Sequence, residues 1–397
     1  MSMHLFDHIR FGTVDFSLLS AGIWVLVALA LTFDFLNGFH DAANSVATIV
    51  STRVLSPYSA VIWAAFFNFV AFLIFPLNVA GMMGKGIIDP LIVDNAFIAA
   101  TLIAACIWNL ITWYWGLPTS SSHALIGGMI GAALVAKGPI ALLWSGIGKT
   151  VLFIFLAPLI GLAIGLAIAW TVTWLFHRST PRRVDKVFRW GQLVSAAWFS
   201  LGHGGNDAQK TMGIIVLLMA SSLGWQHFKM PPEGATRDHS SLSTHPSPLT
   251  ESHPESSAAL AAETTVPDDK TNVPAKVWVP TEIVLACHVA MGLGTLFGGW
   301  RIVKTMGQRI IRLRPIDGFC AEGGAATTLV MTIFYGIPVS TTHTITGSIV
   351  GVGALKRLSA VRWGVAGQVV WAWILTIPGS LTIAACCLWV YRALAGH

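Results

Sequence analysis

"GLPTSSSHALIGG" occupies residues 116–128, and "GIPVSTTHTITGS" occupies residues 336–348. The two stretches stand 220 residues apart and share one plan: a Gly-x-Pro break, a run of hydroxyl residues, a histidine, then an apolar segment with matched glycines. At that offset Pro118 falls on Pro338, His123 on His343, Gly127 on Gly347, Gly131 on Gly351 and Pro158 on Pro378. A second pair lies upstream. "GFHDAANS", from Gly38, matches "GGNDAQKT", from Gly204, at an offset of 166, which sets Asp41 on Asp207 and Asn44 on Lys210. The offsets differ by 54 residues, nearly all of them in a polar stretch that only the second half contains. The chain therefore reads as two homologous halves, 16–176 and 191–395.

Composition says where such halves live. The 397 residues are 54% hydrophobic and 11% charged, against about 25% charged in soluble domains, and mean hydropathy is +0.69. Apolar runs of spanning length recur from 16–36 to 361–395. The expectation is an all-α polytopic membrane protein with roughly 10–12 membrane segments. The runs 140–176 and 361–395 are long for one span; each is either one tilted helix or two segments broken at Pro158 or Pro378.

A net charge of +6 does not point to nucleic acid, because the basic residues sit in loops beside apolar spans. They are densest at 177–189 and 301–314, both expected to be cytoplasmic, with 177–190 as a basic linker between the halves. Two apolar runs and the polar stretch 226–277 lie between them, so that stretch is expected outside. Its Ser-, Pro- and Glu-rich composition predicts disorder. The opening residues have charges but no early apolar core, so no cleavable signal peptide is expected. The five cysteines show no metal or redox spacing.

The polar elements need a reason to sit in hydrocarbon. Every backbone N–H and C=O there must be satisfied, so a Gly-Pro break is tolerated only against protein or a watery cavity. Paired breaks in equivalent places mark a transporter binding site near the midplane, built from broken helices or re-entrant hairpins. A helix restarting after Pro118 or Pro338 presents N–H groups, and Ser120, Ser121, Ser122, Ser340, Thr341 and Thr342 add hydroxyls. That combination suits an anion. The alternative is that the hydroxyls only cap and pack.

The acidic motifs suit a cation. Asp41, Asp207, Asp34 and Glu322 lie in apolar runs, where each costs ~2.5–3.5 kcal/mol or more unless satisfied. Asn37, Asn44 and Asn206 offer amide oxygens to a hard cation and N–H groups to an anion. Two carboxylates repel a bare oxyanion, so the site is expected to take anion and cation together, each raising affinity for the other. His40, His123, His203 and His343 stand in or beside the motifs and could titrate near neutral pH.

GFHDAANSVAT (38–48), LGHGGNDAQKTMGI (201–214), GLPTSSSH (116–123) and GIPVSTTH (336–343) together resemble the PiT family of inorganic phosphate transporters. The resemblance implies a symporter of two inverted repeats working by alternating access, in a bacterial plasma membrane. It also implies a site made of the acidic motifs and both hydroxyl-rich hairpins. Carried over by position, Asn44, Asn206, Lys210 and the hydroxyls at 120–122 and 340–342 meet substrate. Asp41, Asp207, Asn37, Glu322, His123 and His343 are the candidates for cation or proton coupling.

Two departures stand out. His40-Asp41 replaces the family's Asn-Asp, and Lys210 stands where the sodium-coupled pattern repeats Asn, as in the bacterial low-affinity, proton-coupled branch. Asp207 and Lys210 are i and i+3 on a helix and share a face. The ammonium could replace a bound sodium ion or pair with phosphate, unless it snorkels to an interface.

No resident cofactor is expected. Protons, or sodium, travel with phosphate, and magnesium or another divalent cation can accompany it; metal ligands stay unassigned. The lipid bilayer is a partner, nucleic acid is not, and assembly with further copies of the chain stays open. Sulfate transport on the same fold, sodium coupling, a passive channel and a membrane-embedded hydrolase are the competing readings. The duplicated pattern speaks against an enzyme, which needs nucleophile, base and orienter in one place.

Overall fold

The computed structural model describes residues 14–229, 277–306, 311, 313–356, 359 and 361–396. Its α-helices fall into two series of six. The first is α1 (Ala21–Ser51), α2 (Pro57–Val70), α3 (Asn78–Lys85), α4 (Asn95–Trp115), α5 (Ser121–Ala136) and α6 (Trp144–Leu175). The second is α7 (Pro181–Leu223), α8 (Thr281–Phe297), α9 (Trp300–Lys304), α10 (Pro315–Phe334), α11 (Thr341–Lys356) and α12 (Trp363–Ala395). Among the described residues β pairing is limited to two isolated bridges, Ile88–Leu142 and Lys229–Val277.

The breaks after α4 and α10 are built alike. Gly116 (φ +67°) and Gly336 (φ +65°) end the helices in the left-handed conformation that glycine adopts without strain. Pro118 and Pro338, lacking an N–H, cannot continue the preceding helix, and Ser120, which caps α5, is extended. Ser120 Oγ then accepts the His123 N–H and Ser340 Oγ the His343 N–H, each at 3.2 Å, capping α5 and α11. These helices have 16 residues each, about 24 Å of rise, short of a ~30 Å hydrocarbon core. They form hairpins with α4 and α10.

Four helices, α1, α4, α6 and α12, are long and apolar enough to cross a bilayer alone. The segment Pro57–Leu73 and α3 together form a fifth such unit, bent by 84°. Pro158 and Pro378 do not break their helices: α6 and α12 run through them for 32 and 33 residues. A proline in a packed membrane helix loses one backbone hydrogen bond but not its neighbours.

The two series interlock reciprocally. α5 packs on α12, and α11 packs on α6. α1 packs on α8, and α7 packs on α2. Glycine makes each approach possible. A Cβ on Gly127 would overlap Ser380 of α12, and one on Gly347 would overlap the Pro158 carbonyl of α6. Gly38 stands in the same way against Met291, and its counterpart Gly204 against Asn68.

α1 and α7 form the antiparallel axis. Asp34 bonds Thr211 near one end and Thr52 bonds Gln192 near the other, so α1 and its counterpart α7 run in opposite directions. Apolar cores flank the polar middle of this axis, one containing Phe33, Met129 and Ile215, the other Ile49, Phe199 and Ile349. α6 and α12 lie outermost and expose Phe155, Leu159, Trp371 and Leu375, as a lipid-facing surface does.

Two expectations shift. Residues 181–190, read as linker, are already the first turns of α7. They are followed by a long buried stretch, so the basic segment is rigidly joined to the site helix. Of the 226–277 stretch, Gln226–Phe228 belong to a 3-10 turn, Phe228 is buried, and Lys229 pairs with Val277. The expected disorder concerns 230–276, which lie outside the described residues.

The packing predicts unequal tolerance to bulk. Gly347→Leu should lower the thermal midpoint sharply, since overpacking costs ~1–3 kcal/mol or more. Gly364→Leu, with nothing within 4 Å of the added Cβ, should leave it unchanged. Tryptophan-fluorescence melts in detergent would compare the two.

Candidate functional site

The middle turns of α1 and α7 and the tips of both hairpins converge on one buried polar centre. Asp41, Asp207, Lys210, Asn37, Asn44 and Asn206 are each at most 2% exposed. The centre carries its own internal symmetry. Ser121 Oγ donates to Asp41 Oδ2 at 2.9 Å, and Thr341 Oγ1 donates to Asp207 Oδ2 at 3.0 Å. The next hydroxyl in each hairpin meets the opposite half: Asn44 Nδ2 donates to Thr342 Oγ1 at 2.9 Å, and Lys210 Nζ to Ser122 Oγ at 2.5 Å.

The halves differ in what surrounds each carboxylate. Asp207 meets Lys210 Nζ at 2.5 Å, Asn206 Nδ2 at 2.8 Å and His203 Nε2 at 3.1 Å, besides Thr341. Asp41 has His40 Nδ1 at 2.8 Å besides Ser121. Lys210 also donates to the Val339 carbonyl at 2.7 Å. The ammonium therefore does not snorkel. Its charge is spent inside, on a carboxylate, a hydroxyl and a hairpin carbonyl. Burying such a pair is expensive, and only this density of hydrogen bonds makes it tolerable.

The remaining sequence candidates divide. Asn37 accepts from Ser121 Oγ at 2.5 Å and belongs to the centre. Ser120 and Ser340 are helix caps, so their hydroxyls are occupied by backbone rather than turned to a ligand. His123 and His343 meet each other, with ring centroids 4.6 Å apart, and His343 stacks on Trp373. The two histidines thus join the hairpins behind the hydroxyls. Asn206 Oδ1 and His123 Nδ1 are buried with no hydrogen-bond partner among the described residues.

Glu322 is not in the centre. It sits nearer the C-terminal end of α1, accepting from Thr48 Oγ1 and Ser195 Oγ at 2.5 Å each and from Gln192 Nε2 at 3.0 Å. The pair of α1 and α7 thus bears a polar file: Asp34 with Thr211, the centre, Ser45 Oγ 3.1 Å from His203 Nδ1, then the Glu322 cluster. Sequence reasoning missed Thr48, Gln192, Ser195, Ser45, Thr112 and Thr119. Thr48 follows Asn44 by four residues on one helix face, a signal that was available. Thr119, which bonds Thr112 at 2.9 Å, has Val339 as its counterpart, and so escaped a search for repeats.

Asp41, His203 and Asp207 bring one ligand atom each within 4.8 Å of one another. Two carboxylates and an imidazole, with hydroxyls beside them, suit a divalent cation of the magnesium or manganese kind. Lys210 already neutralises one of those carboxylates.

Residues 37–384 match the phosphate transporter family. The chain is 50% identical over 362 residues to a probable low-affinity inorganic phosphate transporter of Rhizobium meliloti, covering 91% of this chain and 94% of that one. It is 39% identical to a protein so named in Bacillus subtilis, with 91% and 94% covered. It is 27% identical to the low-affinity inorganic phosphate transporter PitB of Escherichia coli, with 93% and 97% covered. Among solved structures, one titled "The sodium-dependent phosphate transporter" superposes with a TM-score of 0.76 at 23% identity, covering 94% of this chain and all of that one. That likeness shows a shared fold.

The Asp207–Lys210 pair predicts a coupled response. Lys210→Met should destabilise the protein by about 3–5 kcal/mol, because Asp207 is left buried and unpaired. Adding Asp207→Asn should restore most of the loss. Thermal melts of the single and double variants would test this; equal losses would mean that the two groups do not act as a pair.

Proposed function

This chain belongs to the phosphate transporter family, and on that premise we propose that it imports inorganic phosphate across a bacterial plasma membrane as a proton-coupled symporter. The observation that carries the reading is the single buried centre holding two carboxylates, an ammonium and hydroxyls from both hairpins. Counting the histidines as neutral, two carboxylates and one ammonium leave the centre with a net charge of −1. Hydrogen phosphate alone would take the centre to −3. Two protons, or one divalent cation, entering with it return the sum to its resting value. A neutral metal–phosphate complex is the loading that costs least in a site shut off from water.

In this scheme Ser121, Ser122, Thr341, Thr342 and Lys210 hold the phosphate oxygens, and Asn44 and Asn206 orient beside them. Asp41 and Asp207, with His203, hold the accompanying cation or proton. Glu322 and its hydroxyl partners carry the coupling proton towards the basic end of the molecule. Because every central side chain is buried, access requires the hairpins to shift with the outer helices on which they pack: α5 with α12, α11 with α6. Rocking of these units about α1 and α7 is the alternating access we infer.

Lys210 favours protons over sodium. It stands where its symmetry mate is Asn44 and puts a permanent cation against Asp207. A hydrolase gains some interest from the series Ser45, His203, Asp207. Yet Ser45 lies mid-helix in α1, where backbone N–H groups are committed to the helix and do not form an oxyanion hole. Sulfate fits less well than phosphate, because only hydrogen phosphate can donate a hydrogen bond to a carboxylate.

Radiolabelled phosphate uptake into proteoliposomes tests the scheme. A proton gradient should drive accumulation, magnesium should raise it, and a sodium gradient should not drive it. Uptake driven by sodium alone would discard this account of coupling, and accumulation of sulfate at equal rate would discard the selectivity. Lys210→Asn should acquire sodium stimulation. Glu322→Gln should lose proton-driven accumulation while keeping phosphate exchange.

A further inference from the structure

The end of the molecule that carries the basic residues has a charge imbalance that transport does not use. Where the last turns of α6 and α11 meet the start of α10, a groove of about 460 Å³ is lined by Trp170, Trp174, His177, Arg314 and Lys356, among others. Arg314 also borders an adjoining groove of about 410 Å³ beside Ser179 and the first turns of α7. Among the described residues a single carboxylate answers both cations. Asp317, 4% exposed, meets Lys356 Nζ directly, and Arg314 Nε lies 3.6 Å from the same oxygen. That oxygen also accepts the Arg314 backbone N–H at 2.7 Å. The three side chains sum to +1, and the Arg314 side chain is 71% exposed. Arg178, Arg182 and Arg183, neighbours in sequence of the lining residues His177, Ser179 and Pro181, are exposed as well. Asp185 does not offset these charges, being engaged by Arg189 at 3.2 Å.

The frame around this groove is duplicated, but the cations are not. At the offset of 220, Arg314 corresponds to Asp94 and Lys356 to Ala136. Asp94 caps α4 through the Phe97 N–H at 2.7 Å, so the fold can start this helix without a cation. The groove opens on α6, whose Trp170 and Trp174 are 63% and 64% exposed on the outward face. Indole rings of that kind mark the level of lipid headgroups.

We propose that this groove binds the phosphodiester headgroup of an anionic phospholipid, with its acyl chains lying along the Trp170–Trp174 face of α6. The Arg314 guanidinium supplies a planar fork matched to two phosphate oxygens. Lys356 completes the cationic wall, and the His177 ring lies beside it. Basic pockets between membrane helices on the cytoplasmic side recognise such headgroups by this charge complementarity. The occupant is a lipid rather than free phosphate because Ile316, Val352 and Leu355 line the groove together with Trp170 and Trp174, which are themselves exposed on α6.

The full-length protein, purified in a neutral detergent, would be titrated with phosphatidylglycerol or phosphatidylcholine and followed by native mass spectrometry and by thermal melting. One phosphatidylglycerol should be retained and should raise the melting midpoint, whereas phosphatidylcholine should do neither. Arg314→Gln should bind about fivefold more weakly, Arg314→Lys should lose less, and millimolar inorganic phosphate should not displace the lipid. Should Arg314→Gln fail to fold, Trp174→Ala in the last turn of α6 combined with His177→Gln just beyond it, both exposed, gives the same reading. Equal retention of the two lipids, equal binding by the variants, or displacement by inorganic phosphate would overturn the proposal.

Discussion

An ammonium and a carboxylate in contact, both cut off from water, set the terms for the rest of this structure. Lys210 and Asp207 are at most 2% exposed in their side chains, and an ion pair so placed survives only with its remaining hydrogen-bonding capacity filled. The filling comes from three directions: α7 itself through the Asn206 side chain, one hairpin through Thr341 and the Val339 carbonyl, and the other through Ser122. Both hairpins must therefore reach the midpoint of the molecule. The short α5 and α11, the glycine turns before them and the glycine contacts behind them are the means by which they do so.

The repeat was legible in the sequence because it is written in residues with few physical substitutes. Gly116 and Gly336 need a left-handed backbone, Pro118 and Pro338 stop a helix, and Gly127 and Gly347 admit a neighbouring helix. Such positions tolerate little drift. The carboxylates were legible for a related reason: Asp41 and Asp207 are costly in an apolar run unless used. What the sequence withheld lies where the halves have diverged or where one residue type serves two ends. Ser120 and Ser122 look alike in a string, yet the first is a helix cap and the second meets Lys210. Glu322 lies on α10, an arm of the second hairpin, but its partners come from α1 and α7, which no spacing rule brings together.

Proline in the outer helices illustrates the same limit. Pro158 and Pro378 left two readings open in the sequence, a long helix or a break. The choice was made by packing, since a hairpin glycine lies against the Pro158 carbonyl and another against the residue before Pro378. Chain-local signals state what a helix loses at proline. They do not state what a neighbouring helix supplies.

The unlike pair Asn44 and Lys210 has a consequence for energetics beyond the site. If the protein works by the alternating access proposed above, two inverted halves with identical residues would give outward-open and inward-open conformers related by a two-fold rotation in the membrane plane, and symmetry would make their free energies equal. Such a carrier would have no preferred resting side. One half here holds a neutral amide and the other a buried ammonium, and the imidazole of His203 likewise stands opposite the amide of Asn37. Under the proposed alternating access that degeneracy would be lifted, and the empty protein would rest on the side where the polar cluster of the closed half is better satisfied.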